Sequence, residues 1–323
     1  MILQYPTYLR IKTSRLLAEF FKNFNKKGMI PVRQKYDASK IKLPRKILEK
    51  INQIKSGNGK IVKEDKIYMA GAEPFFIYAS TKIGVLLLHG FTSTPAQFLE
   101  LGDYLAGKGI TVYAPLIAGH GTSPDDLSQS RAEEWLESCQ KAFDELKNKV
   151  DKVFVLGNSF GGNIAFELSL KNPEKVSGVI SIGTPVWVRK HHFLKLQAFS
   201  YGFLKKYWRK PKRYYRSGFA HIIDEITYSK VPVRACREFF KFIYKSFRSF
   251  DKVTAPTLII QAEIDPVVNP KSALHIHECI SSQNKKICWI DGSTSHALSD
   301  DKDRGRVYKK IYNFVQEVAK NEN

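Results

Sequence analysis

Val153-Phe154-Val155-Leu156 runs straight into Gly157-Asn158-Ser159-Phe160-Gly161, and a helical pattern follows. A buried strand that turns directly into a helix at Gly-x-Ser-x-Gly has few ways to fold. The serine must take a strained backbone conformation, which brings the residues two before and two after it into contact. Glycine at 157 and 161 removes that clash. Ser159 Oγ then stands above the end of the sheet, and the positive end of the following helix points at it. The pattern alone arises by chance in roughly one chain in ten of this length, so its surroundings decide.

Those surroundings are an α/β alternation. Ile61–Met69, Phe75–Ala79, Gly84–Leu88 and Ile110–Ala114 read as strands. So do Val176–Ile182, Thr257–Ala262 and Ile287–Ile290. Between them lie helical stripes: Phe98, Leu101, Tyr104, Leu105; then Leu136, Cys139, Phe143, Leu146; and finally Val307, Ile311, Phe314, Val315, Val318. Ser130 and Glu133 suit a capping box for the second helix. Apolar strands alternating with amphipathic helices predict an α/β fold, a mostly parallel sheet with helices on both faces. A phosphate-binding reading of residues 157–162 fails, because neither Gly-Lys-Ser/Thr nor Gly-x-Gly-x-x-Gly is present.

A serine hydroxyl needs a base to take its proton and a carboxylate to orient that base. Asp265 sits just past the apolar strand Leu258–Ala262, with Glu263 as the alternative acid. His296 follows in the polar loop after Ile290. The order serine, acid, histidine and the two strand-end placements make Ser159, Asp265 and His296 the candidate catalytic residues. The backbone N–H groups of Phe91 and Phe160 are the candidate oxyanion donors.

Val85-Leu86-Leu87-Leu88-His89-Gly90-Phe91-Thr92-Ser93-Thr94-Pro95 and Pro115-Leu116-Ile117-Ala118-Gly119-His120-Gly121-Thr122-Ser123 extend the pattern. With the serine turn and Gln261-Ala262-Glu263-Ile264-Asp265, they resemble bacterial carboxylesterases and monoacylglycerol lipases of the α/β-hydrolase superfamily. The resemblance spans about residues 72–320. It implies cofactor-free hydrolysis of a small acyl ester through an acyl-enzyme, with a helical cap over an apolar pocket. Monoacylglycerol or lysophospholipid at a membrane surface is the expected kind of ester; peptidase-like amide and thioester hydrolysis use the same machinery, and a non-catalytic membrane-binding protein on this fold is the other reading. Phe160 stands where Met or Gln is usual, and Ser295 where Gly is common.

Four divisions are expected: a basic extension over 1–60, a core over 61–185, a helical, aromatic cap over 186–252, and the rest of the core over 253–323. The chain of 323 residues carries 52 Lys and Arg against 31 Asp and Glu. Residues 1–60 hold fifteen of those cations and three acids, around a helical stripe of Leu9, Leu16, Leu17, Phe20, Phe21 and Phe24. Such a helix either packs on the main domain or lies on an anionic membrane; a transit peptide is a third reading. The basic run Lys205–Arg216 in the cap points to the same anionic surface. No nucleic-acid recognition motif is present, so nucleic acid is not expected as a partner. Neither the four cysteines nor the histidine pairs have metal-site spacing, and no metal or cofactor is expected. The thiols suit a reducing compartment, with a Cys279–Cys288 bridge left open. The sequence shows neither an apolar run of membrane-span length nor the apolar core of a signal peptide. The expected location is the cytoplasm, with peripheral contact at the inner face of the membrane.

Overall fold

The computed structural model describes residues 60–63, 66–69, 71–200, 205–210, 226–291, 296 and 301–321. All of them lie in one compact unit, Ala38–Asn323. Apart from Lys60, the basic extension expected over 1–60 falls outside the described residues.

Seven strands form the main sheet, in the order β11-β10-β7-β6-β4-β5-β3. They are β3 (Phe75–Ile77), β4 (Ile83–Leu88), β5 (Thr111–Ala114), β6 (Lys152–Asn158), β7 (Val176–Ile182), β10 (Thr257–Ala262) and β11 (Lys285–Ile290). Every neighbouring pair is parallel except β3–β5. The stretch read as one strand over Ile61–Met69 is instead an antiparallel pair, β1 (Lys60–Lys63) with β2 (Lys66–Met69).

Alternation along the central strands divides the core in two. Val85 and Leu87 of β4 join Phe154, Leu156, Ile180 and Ile260 against α1 (Leu99–Ala106) and α8 (Asp301–Asn321). Leu86 and Leu88 face the other way, with Val155, Val179 and Ile259. They meet α3 (Ala132–Lys147), α4 (Phe160–Lys171), α6 (Val233–Phe247) and α7 (Lys271–Cys279). Both faces are covered, which is why the strands read as apolar runs rather than alternating ones.

Two details of the N-terminal half differ from expectation. The helix α2 (Pro124–Gln129) was not foreseen, although its signals are local: Ser123 Oγ accepts from Asp126 N at 3.1 Å, and Pro124 opens the helix. Nor does Ser130 cap α3. Its hydroxyl donates to Leu127 O and accepts from Trp135 Nε1, while Glu134 reaches back to Arg131 N at 2.7 Å, one residue later than expected.

Between β7 and β10 the chain leaves the sheet. It forms α5 (His191–Ser200), a short antiparallel pair β8 (Tyr207–Arg209) and β9 (Lys230–Pro232), and then α6. The segment expected to be helical therefore contains an antiparallel strand pair as well. Val188 bridges to Val268, which ties the root of this segment to the loop after β10. The four cysteines are free thiols.

Candidate active site

Ser159 has φ 53° and ψ −122°, the strained turn that its sequence context predicts. The glycines are required by contact. A Cβ at Gly157 would lie 2.1 Å from Gly161 O, and one at Gly161 would lie 2.0 Å from Leu88 O in the neighbouring strand. The turn is pinned on its other side by Ser159 N donating to Ile182 O at 2.7 Å.

The structure brings Ser159, His296 and Asp265 into one hydrogen-bonded chain. Ser159 Oγ lies 3.0 Å from His296 Nε2, and His296 Nδ1 lies 2.8 Å from Asp265 Oδ2. Asp265 is buried, and its second oxygen accepts from Val267 N at 2.8 Å and Val268 N at 2.9 Å. Gln261 Nε2, donating to Oδ2 at 3.2 Å, is the fourth contact of the carboxylate. Burial by itself would raise the Asp265 pKa. The charge and hydrogen bond of His296, with the two backbone donors, outweigh burial and hold it below the ordinary carboxylate value. Arg189 Nε donates to the Asp265 backbone carbonyl and steadies the same loop. Glu263, the alternative acid, is exposed.

Phe160 opens α4 directly after the serine, so its N–H precedes the helical ladder. Phe91 follows Gly90, and a Cβ on Gly90 would stand 3.4 Å from Ser159 Cβ. Both candidate oxyanion residues thus flank the serine.

Sequence reasoning gave His89 no role. The imidazole is fully buried, with Nε2 3.1 Å from Ile117 N and Nδ1 3.0 Å from Gly90 O. Because Ile117 N–H must donate, Nδ1 carries the proton and donates to Gly90 O. That carbonyl belongs to the same peptide unit as Phe91 N–H. Gly90 N in turn donates to Gln97 Oε1 at 3.0 Å. Burial first, and then the neighbouring His120, hold the His89 pKa well below the ordinary imidazole value, against the Gly90 bond. His120 is likewise buried, its pKa lowered to about 4, mainly by burial. The sequence signal for both was a histidine beside glycine in the segment that follows a strand, which does not reveal what the ring touches.

Aromatic rings close over the Phe91 side of the site. Phe239 of α6 stacks on Phe91 at 4.8 Å and tilts against Phe160 at 5.4 Å, with Trp135 behind both. Among the described residues, no group of three or more His, Cys, Asp or Glu side chains could hold a metal ion.

A strained serine turn at the end of the central strand, an acid after β10 and a histidine after β11 define an α/β-hydrolase. More narrowly, the chain belongs to the Hydrolase_4 family (serine aminopeptidase, S33), whose profile matches residues 79–303. It is 27% identical over 248 residues to a carboxylesterase of Bacillus subtilis, covering 76% of this chain and 97% of that protein. It is 28% identical over 255 residues to a thermostable monoacylglycerol lipase of Bacillus sp. strain H-257, covering 78% and 97%. A solved structure from work on the metagenome-derived lipolytic enzymes LipS and LipT superposes with a TM-score of 0.70 at 27% identity. The match covers 76% of this chain and 98% of that one.

Proposed function

We propose that this protein is a serine-dependent carboxylic ester hydrolase acting on small acyl esters, of the carboxylesterase or monoacylglycerol lipase kind. The observation that carries the reading is the hydrogen-bonded chain Ser159–His296–Asp265 on a strained serine turn. The names of the two Bacillus relatives support the same chemistry. His296 Nε2 takes the proton from Ser159 Oγ as the oxygen attacks the ester carbonyl. The developing oxyanion accepts from Phe91 N–H and Phe160 N–H. His296 then gives its proton to the departing alcohol oxygen, leaving an acyl-serine, and a water activated by the same imidazole releases the acid. Asp265 keeps the His296 proton on Nδ1 and stabilises the imidazolium.

The segment 186–252 acts as a cap over this site, a reading supported by the α6 rings on Phe91 and Phe160. Peripheral contact with an anionic membrane is part of the proposal. It is supported by exposed Leu196, Phe199 and Tyr244 on α5 and α6, with the Lys195 and Arg248 cations within 6 Å of the Tyr244 ring. Among the described residues, no helix is long and apolar enough to cross a membrane. Sedimentation with anionic and neutral vesicles at low and raised salt tests this contact, and no anionic preference at low salt ends it.

Nitrophenol release from esters of two to sixteen carbons, by wild type and Ser159→Ala, tests the chemistry. Wild-type turnover lost in the variant is the expected result. A thioester and an aminoacyl nitroanilide belong in the same panel, since the catalytic groups serve those substrates equally.

A further inference from the structure

We propose that the Phe239 ring sets the length of acyl chain this site accepts. The inference rests on the ester-hydrolase reading, and begins with the order of strands. Ser159 follows β6 in the middle of the sheet. On one side lie β7 and β10, followed by Gly183 and Asp265, and His296 packs against both of these residues. On the other side lie β4 and β5, followed by Phe91 and His120.

The chemistry assigns the two halves of an ester to these two sides. His296 must protonate the departing oxygen, so the alcohol portion stands on the β7–β10 side. With the oxyanion between Phe91 N and Phe160 N, the acyl chain leaves the carbonyl carbon towards β4. Phe239 stands there. It is stacked on Phe91 with 29° between the ring planes and 4.8 Å between centroids, and it lies 5.4 Å from Phe160. One side chain from α6 therefore touches the side chains of both residues that flank the reacting carbonyl.

Phe239 is itself buried, 9% exposed, within a packed aromatic wall. Phe240 lies 5.4 Å behind it, Phe242 packs on Phe160 at 5.2 Å, and Trp135 and Phe160 are wholly buried. A long chain can pass only by forcing the ring into neighbours already in contact, and close-packed interiors resist that. Shortening the side chain opens the path. Each further methylene that becomes buried should raise kcat/KM about fourfold, so three give about sixtyfold at full burial.

The test compares kcat/KM for nitrophenyl butyrate and nitrophenyl decanoate in the full chain. The proteins are wild type, Phe239→Ala, Phe239→Leu as a milder opening, and Phe242→Ala as a control within the wall. Labelling by a fluorophosphonate reports that each variant is folded with a reactive Ser159. We expect the decanoate-to-butyrate ratio to rise at least tenfold in Phe239→Ala and by less in Phe239→Leu. In Phe242→Ala it should change by less than threefold. A labelled Phe239→Ala with the wild-type ratio, or with a lower one, overturns the proposal. Should Phe239→Ala fail to label, Phe239→Leu decides by the same criterion. A wild type silent towards every ester sinks the hydrolase reading and this one with it, and that result differs from an unchanged ratio.

Discussion

Gly161, in the first turn of α4, meets Leu88 at the end of β4 so closely that a Cβ on the glycine would stand 2.0 Å from the Leu88 carbonyl oxygen. The serine turn can therefore exist only while it lies flat against the end of β4. Gly161→Ala should cost about 4 kcal/mol or more, because backbone on both sides must move. Gly305 in α8 is the counter-case, with open space around it. Gly305→Ala should stabilise by about 0.5–1 kcal/mol through helix propensity alone. Denaturant midpoints of the two variants should move in opposite directions from wild type.

The two acids after β10 separate in the same way. Asp265 is buried against His296, whereas Glu263 is exposed. Asp265→Asn should lower turnover about 10⁴-fold by favouring the wrong imidazole tautomer. Glu263→Gln, an exposed substitution, should stay within about threefold of wild type. Equal losses in the two variants would reverse the assignment of the acid.

His89 holds the peptide group whose N–H is Phe91's. Replacing it with Gln loosens that donor without touching Ser159, Asp265 or His296. Turnover should fall about 10²-fold, the usual loss when one oxyanion donor fails, with KM little changed. A rise in KM at constant kcat would mean that His89 shapes substrate binding instead.

Acid should destabilise the fold through the buried histidines. The pKa of His120 is about 4 in the folded protein, against an ordinary 6.5. As pH falls below 6.5 the unfolded chain takes up a proton that the folded ring refuses. Stability is therefore lost progressively down to pH 4, by about 3 kcal/mol for this group. His89 acts in the same direction. Asp265, with its pKa held low, adds a further loss as pH falls below the ordinary carboxylate range. Unfolding midpoints at pH 7, 5.5 and 4.5 should decline, and the decline should be shallower in His120→Gln. Parallel slopes in the two proteins would assign the effect to the chain's general positive charge.

Much of this was legible locally. The turn at Ser159, the parallel apolar strands and the amphipathic stripes of α1, α3 and α8 follow from short-range rules: glycine where backbones touch, period 2 or 3.6 in the apolar residues. The Ser123-Pro124 start of α2 was just as local and was missed only because the helix is six residues long. The places of Asp265 and His296 came from chain order and strand ends. Local rules stop where side chains from distant parts of the chain meet. Ser159 and His296 are 137 positions apart, and their 3.0 Å contact depends on which strands are neighbours. The hydrogen bond between Asp265 and His296, the proton on His89 Nδ1 and the Phe239 ring over Phe91 and Phe160 are decided there too. Each depends on which groups the packed core leaves dry and within hydrogen-bond or ring contact. Only the order of strands in the sheet and the return of α6 across them settle that.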